Sequence, residues 1–360
     1  MLDTSFAITM VWLSSLSLAL MVIFDRLMVG DCYRNRPEQA WFVASVSGTL
    51  FGLTATGIAW LLAPAPLAVL WTTTVDLLWP YGLLVTLAGA CAVQVLRHYF
   101  QAFVPENGGE VNEAAIAMWL ASTPLWIFST IIGLTLLETE LETAYFEHAE
   151  VSGWFALAVA TAVLGFSQFE RSGAASNNPL RPRYYRAIVL VLTFSVLYTL
   201  ILSAVLHRVG DGLITTLALL PFYWIGFGAG VRVLTNQTER QKLRRNWRRI
   251  KVFWFPIVVA ETIGMAVFFF EFFGLSEVDP TLVNLIIGAH VAVVYLAMNG
   301  LRLLRRRLER QGIRRIWLLG LRFSARRLPQ TVSGGRLWRE LSWLTLALIA
   351  LAGGLYLVSE

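Results

Sequence analysis

The chain has 360 residues, 57% of them hydrophobic and only 14% charged, with a mean hydropathy of +0.63. A water-soluble domain carries roughly a quarter charged residues, so a core packed against water has no use for this much apolar surface. The net charge of +6 would suit nucleic acid, but basic residues beside apolar runs ordinarily orient a chain in a bilayer and meet anionic lipid. The expected partner is the lipid bilayer, with no nucleic acid.

Windows of about 19 residues place about ten spans in chain order, each near the length that crosses a hydrocarbon core of roughly 30 Å. The first four run from Phe6 to Phe24, Ala40 to Leu62, Tyr81 to Val104 and Glu113 to Leu137. The next three cover Val151 to Phe169, Ala187 to Leu206 and Leu213 to Leu234, and the last are Val252 to Leu275, Leu282 to Leu304 and Leu341 to Val358. The first run has Asp3 where a signal peptide carries Lys or Arg, and no A-x-A site follows, so it is expected to remain as a span. Aromatic rings near the ends of runs, among them Trp41, Trp71, Trp79, Tyr81, Trp247, Trp254 and Trp343, fit anchoring at the headgroups. Cys32 and Cys91 lie in a short loop and inside a span, so neither a disulfide framework nor a zinc site is expected.

Of the 29 Lys and Arg residues, all except Arg208 sit beside odd-numbered connections between spans. The opposite face carries acids, including Glu138, Glu140, Glu142, Glu147, Glu150, Asp211, Glu277 and Asp279. The positive-inside rule then makes the odd connections cytoplasmic and both termini external. Two cytoplasmic segments are long and basic, Asn236 to Lys251 and Arg305 to Glu340. In the second, Ile313, Ile316, Trp317, Gly320 and Leu321 recur at helical spacing with Arg314, Arg315 and Arg322 between them. That pattern predicts an amphipathic helix lying on the membrane surface; a solvated basic linker that only fixes topology is the alternative.

The polar connection Arg171 to Arg186 divides the chain into a first half, 1–170, and a second half, 187–360. With five spans on each side the halves have opposite orientation, which is the inverted-repeat plan of many transporters. The expected fold class is thus an all-α membrane protein of about ten transmembrane helices in two inverted five-helix repeats.

Several stretches carry a resemblance. IFDRLMVG ends the first span, AWFVASVSGTLFGL forms the second, VLRHYFQAF ends the third, and NEAAIAMWLASTPLWIFSTIIGL runs into LLETELE. In the second half VFFFEFFGL precedes SEVDPTLVNLIIGAH, and LWRELSWLTLALIALAGGLYLV closes the chain. In order and hydropathy these stretches resemble the drug/metabolite transporter superfamily in its EamA-type ten-span form. The resemblance implies a cavity between spans one to four and six to nine, alternating access by rocking of the halves, and a multi-pass location in a bacterial inner membrane. Members of the family typically have a basic second-to-third connection and an inward N-terminus, whereas Ala63 to Pro80 has no Lys or Arg. A member with this charge pattern would be inserted in the opposite sense.

Ionisable residues at membrane depth are costly and mark functional positions by default. Glu261, in PIVVAETIGMAV, is the deepest acid, and His290, in LIIGAHVAVVY, lies on the next span with Asn284 before it. If those spans pack together, Glu261 and His290 face one cavity and can exchange a proton. The bland readings are a Glu satisfied by a neighbouring carbonyl and a His in a helix–helix hydrogen bond. Gln94, Arg97 and His98 in the third span are candidates for a polar or anionic substrate, although Arg97 is near enough to the cytoplasmic end to snorkel. Trp119, with Pro124 and Trp126, is a candidate cavity-lining residue, and Glu271 reads as interfacial. Gly48 and Gly52, and Gly226, Gly228 and Gly230, allow close helix approach. No phosphate loop, H-E-x-x-H, metal-ligand cluster or nucleophile elbow occurs, so neither an enzyme nor a cofactor is expected.

The expected function is transport of a small polar or amphiphilic metabolite. The alternatives are a lipid or lipid-linked sugar flippase and a non-transporting membrane subunit that docks a partner through its basic segment.

Overall fold

The computed structural model describes residues 4–34, 36–102, 181–209, 213–228, 237–277, 290–313, 315–318 and 321–324, with single positions at 283, 286, 287, 342, 346 and 349. The expected fourth and fifth spans, nearly all of the tenth, and the candidates Trp119 and Asn284 lie outside the described residues.

The described chain is helical apart from one short hairpin. In order it forms α1 (Thr4–Asp31), α2 (Pro37–Leu62), α3 (Leu67–Asp76), a wide turn at Leu78–Gly82, and α4 (Leu83–Ala102). After residue 180 follow α5 (Arg181–Val209), α6 (Leu213–Phe227), α7 (Gln237–Val252), α8 (Trp254–Glu277) and α9 (His290–Arg310), then β1 (Arg315–Leu318) and β2 (Leu321–Ser324). Among the described residues five stretches are long and apolar enough to cross a membrane: Ile8–Asp25, Pro37–Leu62, Leu78–Gln101, Val189–Leu206 and Trp254–Phe272. Less than half of each is buried, and large apolar side chains such as Leu50 and Leu87 are more than half exposed within the spans. Hydrocarbon is the environment that such a surface suits, which is consistent with an integral membrane protein.

Two local expectations change. The Ala63 to Pro80 connection contains a helix, because Leu67 to Asp76 is an apolar stretch that Pro66 starts and the Leu78–Gly82 turn, with Pro80, ends. The predicted surface helix around Ile313 to Arg322 is instead an antiparallel hairpin, pairing Ile316 with Phe323 and Trp317 with Arg322. The apolar residues that matched a helical period there also fit two four-residue strands carrying Ile316, Trp317 and Phe323, and strand pairing wins.

α6 is the centre of the packing, with Thr216 to Leu220, Tyr223, Trp224 and Gly226 buried. Its interior Pro221 has no N–H to offer the carbonyl one turn back. That carbonyl, of Leu217, accepts instead from Trp60 Nε1 of α2 at 2.9 Å. Glycines set the crossings: a Cβ on Gly52 would fall within the Trp224 indole, and one on Gly226 would strike the Thr86 carbonyl of α4.

Contacts also fix helix directions. α1 and α8 are antiparallel, since Met21 lies beside Gly264 and Val11 beside Gly274, and Ser14 Oγ donates to the Val267 carbonyl at 3.0 Å. α2 and α6 are antiparallel, with Ser45 Oγ bonded to the Phe227 carbonyl at 3.0 Å near one end and Trp60 to Leu217 at the other. α4 and α6 are parallel, as Gly82 meets Phe222 and Thr86 meets Gly226.

Candidate functional site

A cavity of about 320 Å³ lies between α1, α2, α4, α5, α6 and α8, closed on one side by Ile287 and His290. Each helix contributes residues at helical spacing; on α8 these are Glu261, Gly264, Met265, Phe268 and Glu271. At 1.5 Å per residue Glu261 and Glu271 are about 15 Å apart along the helix, so the two acids mark opposite ends of the space.

The first end is built from α1, α2, α4 and α8. Ser47 Oγ stands 2.5 Å from Glu261 Oε1 and 2.6 Å from the Val43 carbonyl. A hydroxyl has one proton, so it can donate to only one of these acceptors. When Glu261 is ionised, Ser47 donates to it; when Ser47 donates to Val43, the bond to Glu261 requires a proton on the carboxyl. Asp25 is buried, lies near the Tyr99 hydroxyl, and is close enough to Glu261 for the two carboxyls to interact electrostatically. Gly48 leaves the room they occupy, because a Cβ there would come 2.8 Å from the Phe227 ring and 3.3 Å from Glu261 Oε2.

At the second end the Tyr198 hydroxyl lies against the Glu271 carboxyl and faces the Tyr223 hydroxyl. Between the ends is an aromatic wall. Tyr223 stacks on Phe268 with centroids 4.1 Å apart, and Trp224 meets Phe268 edge-on at 4.7 Å. His290 donates from Nδ1 to the Ile287 carbonyl at 2.7 Å, which leaves Nε2 of the neutral ring as an acceptor. Among the described residues neither His290 Nε2 nor the Trp224 Nε1–H has a hydrogen-bond partner.

Glu261 and His290 thus come together in one cavity, the juxtaposition expected from sequence. Gln94, Arg97 and His98 do not line it. Arg97 sits over the Trp41 ring at 5.1 Å and 3.9 Å from Glu38. Gln101 donates to Glu38 at 3.1 Å and pairs with His98 Nδ1 at 2.9 Å, while the His98 ring stacks on Phe194. Arg97 and His98 therefore belong to a polar tie between α2, α4 and α5 at the end of the helices, where a polar head reaches water.

Two acids of the cavity escaped the sequence reading. Asp25 read as the end of a run, yet α1 continues through apolar Leu27, Met28 and Val29 to Asp31, so the acid is inside the helix. Glu271 read as interfacial, yet it shares a broad helical face with Glu261 and Phe268, a spacing that could have linked them.

No family model matches this sequence, and no curated protein matches it.

Chemically, the site offers three carboxyls beside aromatic rings, with no Lys or Arg among the described lining residues. Such a set can hold protons or a cation.

Proposed function

We propose that the protein is a multi-pass membrane transporter of a small polar or amphiphilic molecule, built on the ten-span inverted-repeat plan of the drug/metabolite transporters. The observation that carries this reading is the interior cavity, in which three carboxyls from two helices meet His290 at the level of the apolar runs. Buried acids at that depth are costly, and structural need does not account for three of them around an open space.

The helix pairing supports the plan. With α1, α2 and α4 as spans one to three and α5, α6, α8 and α9 as spans six to nine, an inverted repeat exchanges each span with the one five places away. The two most extensive helix pairings are α4 with α5 and α1 with α8; these are spans three and six, and one and eight, which that exchange interconverts. The pairing of α2 with α6 maps onto itself and is the natural place for a two-fold axis. The directions of α1 against α8, α2 against α6, and α4 against α6 all fit the parity of this numbering. Alternating access would be rocking about the glycine-lined crossing of α2 and α6. A flippase for anionic lipids would find positive charge on α7, whose Leu243, Asn246 and Ile250 are buried while Arg244, Arg245 and Arg248 are exposed. The cavity itself is acidic and repels such headgroups, so the small-molecule reading is preferred.

The test is Glu261→Gln in proteoliposomes with a substrate panel run at two pH gradients. The variant should insert and fold, since a Gln carbonyl still accepts from Ser47, but should lose transport. Uptake equal to that of the wild type would remove Glu261 from the mechanism.

A further inference from the structure

The transport reading leaves the substrate open, and the cavity narrows it. Asp25, Glu261 and Glu271 line one cavity with no Lys or Arg among its described lining residues. Carboxylates away from water need an opposite charge to be stable as ions, and here the ligand is what can bring it. Aromatic faces between the acids, Tyr223, Trp224 and Phe268, suit both a cation and an apolar body. His290 also lines the space, is 6% exposed and holds its Nδ1–H on the Ile287 carbonyl.

We propose that the cavity binds a protonated organic amine with an aryl or branched apolar body, its N–H groups on the Asp25 and Glu261 carboxyls, and its body against Phe268. The inference rests on the transport reading for its context but not for its test. It separates this ligand from three relatives. A quaternary ammonium has the charge but no N–H for the carboxyls. An alcohol has a donor but no charge, and a carboxylate has the wrong sign.

Purified full-length protein in nanodiscs of zwitterionic lipid is titrated calorimetrically with 2-phenylethylammonium, its N,N,N-trimethyl derivative, 2-phenylethanol and 3-phenylpropionate, with empty nanodiscs as the blank. The primary amine should bind saturably and at least about tenfold more tightly than each of the other three, the scale of one lost hydrogen bond to a charged group. Glu261→Gln should weaken it by a similar factor. Equal binding of the alcohol or the anion, equal binding of the trimethyl compound, or absence of saturable amine binding overturns the proposal; the comparison among ligands uses wild-type protein and does not depend on any variant folding. Amine that binds but is not carried across proteoliposomes would sink the transport reading and leave this site intact. Glu261-dependent transport of the uncharged or anionic compounds, with no amine binding, would do the reverse.

Discussion

Ser47 shows how much one hydroxyl can decide. It lies one turn beyond Val43 on α2 and within 2.5 Å of Glu261 on α8, so its single proton reports whether the carboxyl carries one. Ser47→Ala removes this partner from a carboxyl inside the helix bundle. The expected cost is about 1–2 kcal/mol of stability in detergent unfolding, with Ser47→Thr restoring most of it because the hydroxyl is kept. An equal loss in both variants would mean that volume, not the hydrogen bond, matters at this position. Residue-scale chemistry was partly legible in the sequence. Glu261 and His290 stood out because an ionisable group amid an apolar run is expensive. Asp25 and Glu271 did not, because a run's end is a weak marker of where a helix leaves the hydrocarbon, and α1 in fact continues past Asp25.

At the scale of elements, the five described spanning helices overlap runs that hydropathy marks, and their contacts are made by exceptions to regular structure. Pro221 frees the Leu217 carbonyl and Trp60 takes it. A double-mutant cycle tests this dependence. Trp60→Phe should cost about 1 kcal/mol more in the wild-type background than in Pro221→Ala, where an intrahelical N–H is available to that carbonyl. Additive losses would show that Trp60 acts through packing alone. The hairpin Arg315–Leu318 with Leu321–Ser324 is the element that sequence periodicity misassigned. Short apolar stretches fit both periods, and only pairing with a partner strand separates them.

For the whole molecule the charge bias makes a sharp prediction. A cysteine at Lys242 on α7 should react with an impermeant thiol reagent only after the membrane is opened, and one at Glu360 should react in intact cells. The native Cys32 and Cys91 are both buried and give a low background. Reaction at Lys242 in intact cells would invert the orientation and, with it, the direction in which the cavity alternates.

What the sequence determined by itself was the presence of helices long and apolar enough to cross a membrane. Apolar runs of about twenty residues, and basic residues confined to alternate connections, are local properties of the chain, and hydrocarbon admits little besides helices there. It also supplied the costly groups, Glu261 and His290. Tertiary structure decided which costly groups meet. Whether Asp25, Glu271 and Tyr99 face an interior space, or Arg97 turns away from it to Trp41 and Glu38, depends on the rotation of each helix about its axis. That rotation is set by glycine crossings and interhelical hydrogen bonds between residues far apart in the chain, which no local pattern encodes.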